Sequence, residues 1–296
     1  MANTMEINFV KYRKIFFTIS TVMILASVVS LCLFGLRWGI DFVGGSVIEI
    51  EYKNNRPSLE EIKHSLKNID AGEISVQEIG EKGIILRTQE ISDEIHQKII
   101  DTLRSSGEFQ ETRFEFIGPV VGKETKDKTK IVIFLALVSI LLYITLAFRE
   151  VSWPVSSWQY GIATLIALFH DVLIPIGIFA ILGKLYMVEI SVPIITALLT
   201  VFGYSVNDTV VVFDRIRENL LKRNLSFEET VNKSLNETLS RSISTSLTTL
   251  FVLLAIFFFG GHTLRYFSLA LILGISLGTY SSICLASLIL ISWKRS

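Results

Sequence analysis

Six stretches of this chain are long and apolar enough to cross a lipid bilayer, and that limits its fold more than any other feature. A spanning helix needs about 20 consecutive, mostly apolar residues. Residues 15–36 and 131–148 carry no charge; 160–182 contain His170, Asp171 and Pro175; 190–213 contain Asp208; 242–259 and 266–293 complete the set. Backbone N–H and C=O groups find no water in hydrocarbon, so spanning segments of this length must be helical. The expected fold is therefore a polytopic α-helical membrane protein with six transmembrane helices. The first stretch is longer than the apolar part of a signal peptide and lacks a small-residue cleavage site, so it reads as a retained anchor.

Half of the 296 residues are apolar and 19% are charged, with 28 Lys+Arg balancing 28 Asp+Glu. The charges are not spread evenly. Residues 37–130 hold 32 of the 56, which marks a polar domain inserted between the first and second spans. Its pattern is βαββαβ. Ser46–Tyr52 alternates like a half-buried strand. Ser58-x-x-Glu61 opens an amphipathic helix to Ile69 with a capping-box pattern. Ile74–Ile79 and Ile84–Thr88 flank a turn at Gly80–Gly83, Ser92–Leu103 is a second amphipathic helix, and Thr112–Ile117 is a last strand. This order is that of an α+β ferredoxin-like domain. Its two histidines, His64 and His96, read as solvated residues on helix faces.

The lysines and arginines of the short loops set the orientation. Lys11, Arg13 and Lys14 precede the first span, and Arg149 follows the second. Arg215, Arg217, Lys222, Arg223, Lys233 and Arg241 lie between the fourth and fifth, and Lys294 and Arg295 follow the sixth. The opposite short loops hold only Lys184 and Arg265. Residues 1–14 and the loop 214–241 are thus expected on the cytoplasmic side, with both termini, and the inserted domain outside.

Several function classes drop out. The balanced charge removes the electrostatic case for nucleic-acid binding. Cys32 and Cys284, both inside apolar runs, build neither a disulfide framework nor a metal site. No Walker A loop, dinucleotide fingerprint, HExxH or Gly-x-Ser-x-Gly is present. No enzyme activity, cofactor or metal is expected. An intramembrane aspartyl protease would need paired carboxylates. Asp171 and Asp208 lie at different predicted depths, and neither sits in a Gly-x-Gly-Asp.

A charged group inside a membrane is by default a functional candidate. Asp171 falls near mid-membrane. It is either a proton-binding carboxylate or a buried carboxyl hydrogen-bonded to another helix. Asp208 lies within Gly203-Tyr204-Ser205-Val206-Asn207-Asp208-Thr209, where five hydrogen-bonding side chains crowd six positions. Lipid does not tolerate such a surface, so this helix must face protein or water. Arg241 opens the fifth span ahead of Ser242, Ser244, Thr245, Ser246, Thr248 and Thr249. It is either a snorkelling anchor or an ion partner for Asp208.

Three motifs together resemble the SecD/SecF family of bacterial protein-export membrane subunits, in the resistance-nodulation-division superfamily. They are Gly39-Ile40-Asp41-Phe42-Val43-Gly44-Gly45, the long run from Gly203 through Asp208 to Asn219, and Thr238-Leu239-Ser240-Arg241 with its Ser/Thr continuation. The resemblance implies an inner-membrane subunit that pairs with SecD and works beside the SecYEG channel and the SecA ATPase. It implies use of the proton motive force to promote late translocation of a preprotein. It places Asp208 and Arg241 on the proton path, with Asp171 as a further candidate and another aspartate supplied by SecD. A passive scaffold of the translocon and a small-solute exporter of the same superfamily are the alternatives. Gly44 and Gly45 are expected to shape the turn from span to strand, with Asp41 capping or hydrogen-bonding that turn.

Overall fold

The computed structural model describes residues 6–72, 74–149, 153–222 and 225–294. Arg223 and Arg295, which contribute to the loop charge bias, lie outside the described residues. The chain divides into two compact units: residues 1–36, 132–185 and 193–296, and residues 37–131 with 186–192.

The first unit contains the apolar cores of the six long helices. They are α1 (Arg13–Phe34), α5 (Pro119–Ala147), α6 (Ser157–Tyr186), α7 (Val192–Leu221), α8 (Phe227–Phe259) and a last one built as α9 (His262–Ser281), a π-helical turn (Ser282–Ala286) and α10 (Ser287–Ser292). Three of them run past their apolar cores. α5 begins at Pro119, twelve residues before its hydrophobic run, because proline suits the first helical position. Ion pairs Lys128–Glu124 and Lys130–Asp127 then support its charged turns. α8 begins at Phe227, where Ser226 and Glu229 form a capping box, and α7 continues to Leu221. Hydropathy finds the membrane-length core of a helix; caps and side-chain pairs decide where it ends.

Within this unit α6, α7 and α9–α10 are the more buried, and α1, α5 and α8 are mostly exposed. Small residues allow close approach. A Cβ on Gly177 would fall 2.6 Å from the Cα of Ser27, and one on Gly278 would fall 3.1 Å from the Cβ of Ser205. The Ser30 hydroxyl donates to the Gly177 carbonyl at 2.9 Å. Phe148, Tyr160 and Phe213 form an aromatic cluster, two parallel rings met edge-on by the third.

The second unit contains the inserted α+β domain. Strands β1 (Gly45–Tyr52), β2 (Ser75–Ile79), β3 (Gly83–Thr88) and β4 (Phe109–Ile117) form one sheet in the order β2-β3-β1-β4, with all neighbours antiparallel. Helices α3 (Leu59–Leu66) and α4 (Asp93–Arg104) complete the ferredoxin-like βαββαβ arrangement. Ile48, Ile50, Tyr52, Ile84 and Leu86 pack against Ile62, Leu66, Ile99 and Leu103. Burying each such side chain contributes about 1.5–3 kcal/mol. His96 departs from its solvated reading. It is buried, hydrogen-bonded to Glu111 at 3.0 Å and stacked on Phe114, because the first turn of α4 presents it to these two residues of β4.

The opposite face of the sheet carries Val47 and Ile85, joined by Ile40 of the short helix α2 (Ile40–Val43). Gly44 and Gly45 have φ of +80° and +127°. A Cβ on Gly44 would meet the Cα of Pro119 at 2.7 Å. The two glycines therefore serve both conformation and clearance. The backbone conformation alone costs an L-residue about 1–3 kcal/mol, so Gly44→Ala is expected to lower the thermal midpoint of the detergent-solubilised protein. An unchanged midpoint would show that Pro119 and α5 can yield.

Candidate functional site

The two intramembrane aspartates sit in contrasting environments. Asp171 on α6 is fully buried and its carboxylate receives three hydrogen bonds. Ser205 of α7 and Ser281 of α9 donate to Oδ2 at 2.6 and 2.7 Å, and His170 Nδ1 meets Oδ1 at 2.9 Å. One carboxylate thereby joins three helices. Pro175, one turn later, has no N–H to give to the Asp171 carbonyl. His170 is also fully buried, stacks on Tyr280 and leaves Nε2 without a partner among the described residues. With Nδ1 as the donor, Nε2 is a bare lone pair, which suits an apolar surrounding better than a stranded N–H would.

Asp208 on α7 is buried too, but only half satisfied. Its Oδ1 accepts from Ser242 of α8 at 2.6 Å, while Oδ2 is buried and has no partner among the described residues. Arg241, one residue before Ser242, is near enough for its charge to act at Asp208. It makes no ion pair among the described residues, so the direct Asp208–Arg241 pair weighed from the sequence is absent. Arg241 instead lines a cavity of about 260 Å³ with Asp214, Arg215, Glu218, Glu237 and Thr238.

Hydroxyls tie the two aspartates into one polar seam. Ser205 and Asp208 stand one turn apart on α7. Thr209 pairs with Ser282 at 2.8 Å, and Ser246 pairs with Thr279. The π-helical turn starts at Ser282, and the Ser287 hydroxyl donates to its carbonyl at 2.7 Å. Such a turn shifts the register of the helix and often marks a functional segment. Ser281, Ser282 and Thr279 were not singled out from the sequence. Their spacing on the last span is the signal that was available.

Asn207 faces outward with Thr200 and Gly203 on α7, and Arg241, Ser244, Thr245 and Thr248 are exposed on α8. A polar face of this kind on membrane-length helices suits protein or water rather than lipid. Asp41 stands apart from this seam. Its Oδ2 accepts from the backbone N–H of Val192, the first residue of α7, at 2.9 Å, and not from its own turn among the described residues.

A family model described as "Protein export membrane protein SecD/SecF, C-terminal" matches residues 98–296, and one described as "SecD/SecF GG Motif" matches residues 29–55. The chain is 45% identical to the protein translocase subunit SecF of Thermobaculum terrenum, over 98% of this chain and 94% of that one. It is 38% identical to SecF of Anaerolinea thermophila, over 97% and 94%. The crystal structure of SecDF, a translocon-associated membrane protein from Thermus thermophilus, superposes with a TM-score of 0.87 at 33% identity. That match covers 99% of this chain and 39% of the solved one, so the chain spans about two fifths of the SecDF chain.

Removing one donor from Asp171 leaves a buried carboxylate under-satisfied, at a cost of about 1–3 kcal/mol. Ser281→Ala is expected to lower the thermal midpoint measurably. Ser244→Ala, on the exposed face of α8, is expected to leave it within error. Equal effects would mean that Asp171 is not held by these bonds.

Proposed function

The chain belongs to the SecD/SecF family as a SecF subunit of the Sec translocase accessory complex, a non-catalytic membrane component, and on that premise we propose that it works with a SecD partner to spend the proton gradient on late protein translocation. Asp208 is the proton-exchanging group in this reading. The observation that carries it is the unpartnered, buried Oδ2 of Asp208. An ionised carboxylate held by one hydroxyl in a low-dielectric interior is incompletely compensated. Taking a proton, or meeting a cation, completes it.

Two competing partners for Asp208 stand on consecutive residues of α8. Ser242 holds it in this structure, and Arg241 is unpaired beside it. A protonated Asp208 is content with the serine. An ionised one draws Arg241, and that exchange turns or slides α8 against α7. Asp171 has a different part, since its three donors hold α6, α7 and α9 together and give the moving pair a fixed frame. The exposed polar face at Asn207, Arg241, Ser244, Thr245 and Thr248 is where SecD helices dock and where a further acidic group would reach the seam. The solved SecDF chain, longer than this one, supports that pairing. The loop charges support cytoplasmic termini in the bacterial inner membrane, with the α+β domain outside. There it would act on the emerging preprotein, beside the SecYEG channel and downstream of SecA.

Inverted vesicles carrying this chain and its SecD partner test the reading, with ATP and SecA supplied and the proton gradient either present or collapsed. Native vesicles are expected to export more precursor with the gradient, and Asp208→Asn vesicles to lose that increment while keeping the ATP-driven part. An Asp208→Asn increment equal to the native one would make the protein a passive scaffold of the translocon.

A further inference from the structure

The connector between α6 and α7, residues 186–192, belongs to the compact unit of the α+β domain. Four kinds of bond hold it there. Trp38 and Ile190 form a parallel β-bridge, with Gly39 N–H donating to the Ile190 carbonyl at 2.9 Å and Ile190 N–H to the Arg37 carbonyl at 2.7 Å. The Glu189 carboxylate lies between two guanidinium groups, 2.9 Å from Arg87 and 3.5 Å from Arg37. Gln77 of β2 donates to the Tyr186 carbonyl at 2.8 Å, and Asp41 accepts from Val192 N–H. Glu189 and Arg87 are each about 15% exposed at the side chain. A charge cluster this sheltered resists separation, because pulling out one member strands the others.

α7 starts at Val192 and carries Asp208 sixteen residues later, about 24 Å along one continuous helix at 1.5 Å per residue. We propose that Glu189 is a positioning residue for gradient-driven export: it fastens the head of α7 to the sheet of the outside domain, so that displacement of α7 at Asp208 is delivered to that domain. The inference rests on the proton-driven reading above. The Gly-rich motif gains a purpose from it, since Asp41 and the backbone around Gly39 are two of the fastenings. Arg87 and Gln77, on β3 and β2, carry the load into the sheet.

A covalent substitute separates attachment from any other role of Glu189. In a background of Cys32→Ser and Cys284→Ala, Glu189→Ala is combined with Trp38→Cys and Ile190→Cys, which replace the bridge by a disulfide. All forms are first checked for co-purification with SecD and then assayed in the vesicles above. Glu189→Ala alone is expected to cut the gradient-dependent increment by about fivefold or more, the lower range of typical coupling between sites, with ATP-driven export kept. Oxidising the cysteine pair is expected to restore the increment, and reducing it to remove it again. An undiminished increment in Glu189→Ala, a disulfide that does not form, or one that forms without rescue would each overturn the inference while leaving the role of Asp208 intact. If native vesicles show no increment, the proton-driven reading falls. Hydrogen exchange at Ile190 and Val192 then decides the attachment on its own. Protection that Glu189→Ala removes upholds it, and exchange as fast as in a free loop overturns it.

Discussion

A buried carboxylate in an apolar helix bundle must be satisfied from other helices, and the bundle of this protein is arranged around that need. Asp171 takes donors from its own helix, from α7 and from α9, so three helices are fixed in rotation and in depth by one side chain. α9 ends by presenting Ser281 to Asp171, and the π-helical turn that begins at Ser282, the partner of Thr209, shifts the register of the residues beyond it. Gly274 and Gly278 let α9 approach α7 closely, and Gly177 lets α6 approach α1. Packing and polar satisfaction thus act on the same contacts, and neither is separable from the other.

Asp208 is the counterpoint. It lies one helical turn from the Asp171 frame, yet it has one hydrogen bond and one unpartnered oxygen. A group held incompletely inside a rigid surround is free to change partner at small cost in packing. The contrast between a saturated aspartate and an unsaturated one makes a mechanical reading of the bundle possible. The exposed polar face on α7 and α8 extends the same logic to a neighbouring chain. It is costly against lipid and economical against a second set of helices.

Much of the fold was legible in residue order. Length and hydropathy located the six helices, and alternation plus turn residues located the four strands. The Ser58 capping box is present as its spacing implied. Helix ends were less legible. Nothing in apolar content says that α5 runs back to Pro119 or that α8 starts at Phe227. Asp208 and Asp171 announced themselves as carboxylates in apolar stretches. Their partners did not, because a serine in a membrane helix looks the same whether it bonds its own backbone or a distant carboxylate. For Arg241 the sequence leaves both a snorkelling anchor and an ion partner for Asp208 open, while the adjacent hydroxyl of Ser242 holds the bond. His96 was read as solvated because its own helix shows it on a polar face, whereas β4 supplies Glu111 and Phe114 from across the domain. Glu189, alone in a short apolar loop, gave no sign of the two arginines that surround it.

The sequence by itself determined that this protein spans the membrane six times, carries one α+β domain after its first span, and places two carboxylates where carboxylates are costly. These properties depend on composition and periodicity along the chain, which are local and additive. The tertiary structure alone decided which aspartate is saturated and which is not, which hydroxyls meet them, and that the α6–α7 connector is bound to the domain sheet. Those outcomes depend on the rotation and depth of helices and strands distant in the chain. Displacements of one or two ångströms there make or break a hydrogen bond without altering any local preference.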